Sequence, residues 1–428
     1  MMDQRTIIAG AVILGLFLMA PTLMHQGEDY QVDLLPADVT VTGTGGAYLV
    51  SGNGGDKSVV GADSAISTAI SRLGAGDVLT LDGTFAISSS ITMRSNMALQ
   101  LDGTVSRAST GALVYASGLS SIQIRGGNWV SHDAQTQAFY IISCSNVDVI
   151  GCDVKGAAIA LSGCKGTSSD YCKVVHNTCH DVNSIETRQG ITISMSALYI
   201  EVAYNVIRNN VGGGIYLWNA DGASYSQKSI HVHHNTVTDV MTDGISLYPG
   251  GSGNSCTNCI IEHNVITQNK ADNTHTLLAV AWGGGGGDTT KGCDNNIVRY
   301  NTLNNNAGSV LKENLCIRGD YNQVYGNVIN GAYKSGIKLM YSDGNTIQGN
   351  VINGCRATTS EEGNCISLWA DSDSNIIKDN VLKSPCVSFL LINSGCDGNK
   401  ITGNDLQGTS SSTSIRNYGS GNVLSGNG

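Results

Sequence analysis

The feature that most limits the fold of this chain is one asparagine that returns at intervals of 23 to 37 residues. The recurring residues are Asn177, Asn205, Asn235, Asn264, Asn301, Asn327, Asn350, Asn380, Asn404 and Asn427. Nearly every one lies three residues after a valine or isoleucine, and an apolar residue often follows two positions later, as Ile329 does after Asn327. Self-similarity at such a spacing is the signature of a repeat architecture.

Each repeat contains two or three apolar stretches of about three to five residues, which are too short for amphipathic helices. Short strands that recur once per repeat indicate a coil stacked on similar coils, each advanced by roughly 4.8 Å. We expect the asparagine at a corner of the coil, in the left-handed backbone conformation that asparagine tolerates. Its amide would hydrogen-bond to the asparagines of the coils above and below. The pattern predicts an all-β solenoid in which these asparagines are structural.

The sequence ahead of the repeats has a different pattern. Residues 62–73 (ADSAISTAISRL) have the periodicity of a short amphipathic helix. GDVLTLDGTF and ITMRSNMALQLDG follow it. This order, followed by N-x-I repeats, resembles the start of right-handed parallel β-helices of the pectate-lyase-like superfamily, in which a helix caps the first coil.

The resemblance implies a parallel β-helix over residues 62–428 with about 12 to 13 coils. Residues 27–61 would then be a linker or the first strands. The superfamily includes lyases, hydrolases, epimerases, phage spikes, adhesins and surface proteins, so the resemblance specifies the fold much better than the function.

The N-terminal 26 residues form a separate segment by composition. Residues 7–24 are apolar, with Arg5 before them and Glu28 and Asp29 after them. This arrangement predicts a secretory signal or a single membrane anchor, and the sequence leaves both alternatives open. Either would place the domain outside the cell or at the cell surface, with membrane contact only through this segment.

The charge distribution excludes one class of partner. Only 14% of the residues are charged, the net charge is −10, and the sequence contains no basic stripe. We therefore expect no nucleic-acid partner.

The sequence contains thirteen cysteines, and their positions can be compared relative to the recurring asparagine. Three pairs occupy equivalent or nearly equivalent places on neighbouring coils: Cys256 with Cys293, Cys144 with Cys164, and Cys355 with Cys386. Because adjacent coils lie within the Cα separation that a disulfide spans, and export permits the bonds, these pairs are disulfide candidates. The alternative is that they are small, inert core residues.

Charged residues near one repeated strand are the weak candidates for catalysis. The resemblance implies that a polysaccharide lyase on this scaffold removes a proton next to a carboxylate, which Ca²⁺ or a cationic side chain neutralises. Lys338 lies mid-strand in GIKLM and is the candidate base, with Arg318 as the neutralising cation and Glu313 nearby. The alternative is a solvated face of mixed charge. Ca²⁺ is expected only in the lyase case, and no other cofactor is expected.

Two aromatic series accompany the repeats. The first is a candidate platform for sugar rings, or else a packing stack, and consists of Trp218, Tyr248, Trp282, Tyr341 and Trp369. The second directly precedes the ladder and consists of His176, Tyr204, His234, His263 and Tyr300. We interpret the second series as a stack on the surface of the turn and predict no metal site.

Two classes of function fit these observations. The first is a structural surface protein, a disulfide-reinforced β-helix that assembles with itself into an extracellular layer, sheath or coat. The cysteine content, the low charge and a C-terminal end that reads as an uncapped repeat favour it. The second is a carbohydrate-active or carbohydrate-binding β-helix of the uronate lyase or epimerase type, with a cell-surface polysaccharide as partner. An adhesin is a further alternative.

Overall fold

The structure is a computed structural model of the chain. It describes residues 33–132, 137–182, 189–219, 224–250, 253–271, 275–280, 292–307, 313–359, 362–410 and 414–428. The predicted signal or anchor segment, residues 7–24, lies outside these ranges. Within them, no helix is long and apolar enough to cross a membrane.

The described chain folds as a right-handed parallel β-helix, which confirms the fold predicted from the repeat. Its strands form a thirteen-stranded sheet and a 29-stranded sheet. A coil of the repeat contributes three strands, for example Gln323–Tyr325 and Val328–Ala332 to the larger sheet and Ser335–Met340 to the smaller one. Each strand pairs in parallel with its equivalent in the next coil.

The thirteen-stranded sheet consists of β5 Ile91–Thr92, β7 Val114–Ser117, β10 Gln137–Ile142, β13 Ala158–Ser162, β16 Ile191–Ser194, β19 Ile215–Trp218, β22 Ile245–Tyr248, β26 Leu278–Val280, β29 Glu313–Ile317, β32 Ser335–Met340, β35 Asn364–Trp369, β38 Ser388–Ile392 and β41 Ile415–Asn417. All of its pairings are parallel.

The 29-stranded sheet consists of β1 Val39–Thr44, β2 Ala47–Gly52, β3 Lys57–Val60, β4 Val78–Ile87, β6 Met97–Arg107, β8 Ser120–Arg125, β9 Asn128–Ser131, β11 Ser145–Ile150, β12 Asp153–Lys155, β14 Cys172–Val175, β15 Thr178–His180, β17 Leu198–Ala203, β18 Val206–Arg208, β20 Ser226–His233, β21 Thr236–Thr238, β23 Ser255–Thr257, β24 Ile260–Glu262, β25 Val265–Gln268, β27 Ile297–Arg299, β28 Thr302–Asn305, β30 Gln323–Tyr325, β31 Val328–Ala332, β33 Thr346–Gln348, β34 Val351–Cys355, β36 Ile376–Lys378, β37 Val381–Lys383, β39 Lys400–Thr402, β40 Asp405–Gln407 and β42 Val423–Ser425. Only β1, β2 and β3 pair antiparallel, and β1 also pairs in parallel with β4.

The core fills the inside of the coils. Side chains alternate between the two faces of a strand, so every second residue points inward. In β32, Ile337 and Leu339 are fully buried while Lys338 between them is on the outer face. The first coil carries helix α1, Ala62–Arg72, which buries Ala62, Ala65, Ile66 and Ala69 against the strands around it.

The recurring asparagines form a continuous hydrogen-bonded ladder from Asn177 to Asn427, and all but the last are buried. At Asn327, for example, the backbone N–H and the Nδ2 group donate to Oδ1 of Asn350 at 3.0 and 2.9 Å. Nδ2 of Asn327 also donates to the carbonyl of Val298 at 3.0 Å. Each amide thus satisfies backbone groups that the corner would otherwise leave unpaired in the interior.

The left-handed residue at this corner is not the asparagine. The residue before it has the positive φ, as in His176 (58°), Tyr204 (56°) and Gly326 (66°). The expectation that the asparagine itself is left-handed is therefore wrong. The physical reason is that the preceding residue makes the turn, which leaves the asparagine free to direct its amide inward.

A second ladder, which the sequence analysis did not find, lies five residues upstream of the first. It consists of Asn296, Asn322, Asn345, Asn375, Asn399 and Asn422, joined from backbone N–H to Oδ1 at 2.7 to 2.9 Å. An aspartate two residues before each of the first five accepts a backbone N–H from the next coil, beginning with Asp294 and Asp320. Two of the three corners are therefore fixed by side chains.

Candidate functional site

Two of the three predicted catalytic residues, Lys338 and Glu313, meet on the thirteen-stranded sheet. Glu313 lies on β29 and Lys338 on β32, and Lys338 Nζ donates to Glu313 Oε1 at 3.0 Å. Their side chains are only 18% (Lys338) and 9% (Glu313) exposed. This ion pair is therefore largely shielded from solvent, and its catalytic role stays a prediction.

The surroundings of this pair are cationic and aromatic. Lys338 Nζ lies 4.8 Å from the ring centroid of Trp369, which is within the range of a cation–π contact. Arg318, which directly follows β29, has its Nη2 3.5 Å from Sδ of Met340. We call the group Glu313, Cys316, Arg318, Lys338 and Trp369 the Lys338 cluster.

Two members of this neighbourhood were missed from the sequence. Cys316 pairs with Lys338 across β29 and β32, and burial, with the charge of Glu313 adding to it, raises the pKa of its thiol to about 12. Asp243 immediately precedes the strand pair β22–β26, where its Oδ1 accepts the Thr276 N–H at 2.9 Å. Its charge also acts on Cys316. The sequence could have indicated that these two residues lie on the outer face. Placing them beside Lys338, however, requires the register between neighbouring coils, which the sequence does not give.

The aromatic candidates do not form one unbroken stripe in the described part of the chain. Trp218 and Tyr248 pair on β19 and β22, and Met340 pairs with Trp369 on β32 and β35. Tyr341 lies at the turn after β32, with φ 51°. Trp282 lies outside the described residues. The indole Nε1 of Trp369 is buried without a hydrogen-bond partner.

All thirteen cysteines are buried, and none of them forms a disulfide in this structure. Cys144 interacts with Cys164, and Cys256 with Cys293, as the repeat frame predicts. In the third group the arrangement differs, because the Cys365 thiol interacts with both Cys355 and Cys386. Disulfides at these places remain a prediction for the oxidised protein.

The series before the ladder is a ring stack. His176, Tyr204, His234, His263 and Tyr300 follow one another at centroid separations of 4.9 to 5.2 Å, with their planes within 26° of parallel. Stacked rings cover one another's faces, so the column offers mainly ring edges to a ligand.

A histidine cluster adjoins this stack. His231 Nε2 lies 2.8 Å from Glu262 Oε1, and His233 Nε2 lies 3.0 Å from Glu201 Oε1. The Nδ1 atoms of His233 and His234 are 2.9 Å apart. Burial lowers the pKa of His233, and the neighbouring charge of His231 lowers it further, while Glu201 opposes both.

We expect this cluster to make the protein less stable in acid. Because the folded state depresses the pKa of His233, the unfolded chain binds the proton more readily. Stability that is present above the ordinary histidine pKa of about 6.5 is therefore lost as the pH falls through that value. The measurement is the melting temperature between pH 7.5 and pH 5, with His233→Gln expected to reduce the slope. An unchanged slope in the variant would assign the acid sensitivity to other groups.

Sequence comparison finds one family. The profile described as "Periplasmic copper-binding protein (NosD)" matches residues 263–427, which is a smaller part of the chain than the β-helix occupies. Among curated proteins, no sequence matches the chain significantly.

Solved structures share the fold at low sequence identity. The mannuronan C-5 epimerase AlgE4 A-module of Azotobacter vinelandii has a TM-score of 0.57 at 14% identity, covering 85% of this chain and 95% of its own. A mutant tailspike protein of E. coli bacteriophage HK620 in complex with pentasaccharide has a TM-score of 0.57 at 12% identity, covering 83% of this chain and 74% of its own. DFA-IIIase from Arthrobacter chlorophenolicus A6 in complex with GF2 has a TM-score of 0.52 at 12% identity, covering 74% of this chain and 90% of its own. These likenesses concern the fold.

The family description raises the question of copper. Thiolates and imidazoles are the ligands that suit copper, and the matched stretch contains Cys355, Cys365 and Cys386. In the described ranges, however, no group of three or more His, Cys, Asp or Glu is arranged to hold a metal ion. Among the described residues, the thiols of Cys355, Cys365 and Cys386 therefore do not form a group suited to copper.

Proposed function

We propose that this protein is an exported, carbohydrate-active β-helix that binds an acidic polysaccharide at the Lys338 cluster. The observation that carries the proposal is the shielded Lys338–Glu313 pair beside Trp369 on the outer face of the sheet. Shielding a charge from water costs free energy unless the charge interacts with a ligand or with an oppositely charged neighbour. The layer-forming hypothesis has no comparable local feature and receives no support from the comparisons.

The chemistry of the outer face favours a uronate polymer. Arg318, Lys338 and Arg416 lie on three strands or strand ends of the thirteen-stranded sheet, in a chain whose net charge is −10. Guanidinium and ammonium groups bind carboxylates, and guanidinium binds them in a bidentate manner. Trp369, with Trp218 and Tyr248 further along the sheet, supplies apolar ring surface for sugars.

The same residues fit proton abstraction next to a carboxylate. Such a reaction needs a base near the acidic carbon and a cation on the carboxylate. Lys338 and Arg318 belong to adjacent strands, β32 and the end of β29, so one sugar residue would contact both. Glu313 Oε1 accepts a hydrogen bond from Lys338 Nζ at 3.0 Å and would take its proton, which leaves the neutral amine that acts as the base. The epimerase among the structural neighbours acts on mannuronan, which supports this substrate class.

Two observations support the proposed location. The apolar segment at residues 7–24 has the composition of a signal or anchor, and the matching family is described as periplasmic. Both support an exported protein, and a polysaccharide outside the cytoplasm is then its accessible substrate.

Binding and turnover of polygalacturonate and polymannuronate test the proposal. We expect Lys338→Ala to weaken binding at least about tenfold, which corresponds to about 1.4 kcal/mol, and to abolish release of unsaturated or epimerised product. Lys400→Ala is the matched control, because Lys400 is an exposed lysine on the other sheet. Isothermal titration calorimetry measures binding, and absorbance of unsaturated uronates or proton NMR measures turnover. Equal losses in both variants, or no binding of either polymer, would overturn the proposal.

A further inference from the structure

Three thiols converge at the start of β35. Cys355 Sγ lies 3.2 Å from the carbonyl of Asn364, the residue before Cys365. The backbone N–H of Cys355 donates to the carbonyl of Pro385, the residue before Cys386, at 2.6 Å. Cys365 Sγ lies 3.6 Å from the carbonyl of Lys383.

These contacts place Cys365 between two possible partners. Its thiol interacts with that of Cys355 in its own coil and with that of Cys386 in the next coil. All three side chains are buried, and Cys386 is the most exposed of them at 6%. Elsewhere, the Cys144 thiol contacts that of Cys164, and the Cys256 thiol contacts that of Cys293, with Cys259 near both.

We infer that Cys355, Cys365 and Cys386 form a redox site in which Cys365 makes a disulfide with either neighbour while the remaining thiol exchanges the bond. The inference is independent of the glycan proposal. The three thiols lie in the stretch that matches the family profile, but their arrangement does not suit a metal ion. We therefore assign them to thiol–disulfide exchange.

The oxidant would be a low-molecular-weight disulfide such as oxidised glutathione, and it would react first at Cys386. The Cys386 thiolate attacks one sulfur of glutathione disulfide, forms a mixed disulfide and releases one glutathione. The Cys365 thiolate then attacks Sγ of Cys386 and releases the second glutathione. The two protein thiols lose two electrons and two protons, and two molecules of reduced glutathione carry them away.

Exchange then proceeds without further oxidant. The Cys355 thiolate attacks Sγ of Cys365, a new S–S bond forms, and Cys386 leaves as a thiolate that takes up the proton from Cys355. The hydrogen bond with Cys365 lowers the pKa of Cys386, although burial opposes the effect. A lower pKa favours Cys386 both as the entry point and as the leaving group.

The two disulfides connect different parts of the fold. The bond between Cys365 and Cys386 joins neighbouring coils, whereas the bond between Cys355 and Cys365 closes residues 356–364 within one coil. This segment leads into β35, where Asn364 accepts a hydrogen bond from Nη2 of Arg416 at 2.8 Å. Exchange therefore moves a cross-link at the edge of the sheet that bears the Lys338 cluster.

Peptide mapping of the full chain tests the inference. The reduced protein is incubated with oxidised glutathione, quenched with acid, unfolded and alkylated, and then digested with trypsin without reductant. Trypsin cuts after Arg356, Lys378 and Lys383, so the three cysteines fall on three peptides. Fragment spectra separate Cys386 from Cys396, which share a peptide.

We expect the wild type to give both the Cys355–Cys365 and the Cys365–Cys386 bonds. Cys386→Ser should retain only the first, Cys355→Ser only the second, and Cys365→Ser neither. The Cys144–Cys164 pair serves as an internal control, and circular dichroism shows that each variant is folded. A direct bond between Cys355 and Cys386, or three unmodified thiols after oxidation, would overturn the inference. If one variant fails to fold, the other two still distinguish the outcomes.

Discussion

Replacing Asn350 with alanine should destabilise the protein severely. Oδ1 of Asn350 accepts the backbone N–H and the Nδ2 group of Asn327, and Nδ2 of Asn350 donates to the carbonyl of Val324 at 3.0 Å. Removing the amide leaves these buried groups unpaired. Since each unsatisfied group costs about 1–3 kcal/mol, we expect a loss of roughly 3–6 kcal/mol in the free energy of unfolding.

Equilibrium unfolding in guanidinium chloride measures this loss. Asn128→Ala is the matched control, because Asn128 lies on strand β9 with an exposed side chain. That change should alter stability by no more than about 0.5 kcal/mol. If the two variants unfold at the same denaturant concentration, the ladder does not stabilise the fold as we describe.

Replacing Gly103 with alanine should be similarly disruptive for a different reason. Gly43, Gly83 and Gly103 occupy one position on three successively paired strands. A Cβ at Gly103 would lie 2.0 Å from the carbonyl oxygen of Gly83, and its φ of 140° is a conformation that side chains disfavour. The backbone must shift, and we expect a loss of roughly 3 kcal/mol or more.

Gly118→Ala separates the cost of the backbone conformation from the cost of the steric clash. Gly118 has a φ of 66°, but a Cβ there would meet nothing within 4 Å. Its replacement should cost only the backbone term of about 1–2 kcal/mol. The melting temperatures of both variants measure the difference. Equal shifts would show that close packing of the glycine column contributes nothing.

The asparagine spacing was enough to predict the fold, but not the geometry of the corner. An amide repeated at a fixed register specifies stacked coils, whereas the residue before it, such as Tyr204 or Gly326, determines the turn. The second ladder was also present in the sequence, as an asparagine two residues after an aspartate or serine. It was missed because the two ladders share their apolar neighbours: Val324, for example, lies two residues after Asn322 and three residues before Asn327, and the repeat was aligned on Asn327 and its equivalents alone.

The candidate site was predictable only within one coil. Alternation along GIKLM places Lys338 on the outer face, and the structure agrees. Asp243 and Cys316 gain their neighbours from other coils, and Cys365 gains Cys386 from the next coil. Because the repeat length varies from 23 to 37 residues, the sequence does not specify which residues lie above one another. For the same reason, the sequence did not predict that Cys365 lies between Cys355 and Cys386.

This variation in length has a consequence for how such a protein can change. Two residues separate Glu262 from Val265 and Tyr325 from Val328, so the first corner is constant. Nine residues separate Gln268 from Leu278, but only two separate Ala332 from Ser335, where the chain enters the smaller sheet. Doubling a flexible loop costs only about 0.6 kcal/mol. Insertions beside the outer face can therefore accumulate while both ladders keep their register, which lets ligand preference diverge among relatives that share one unaltered scaffold.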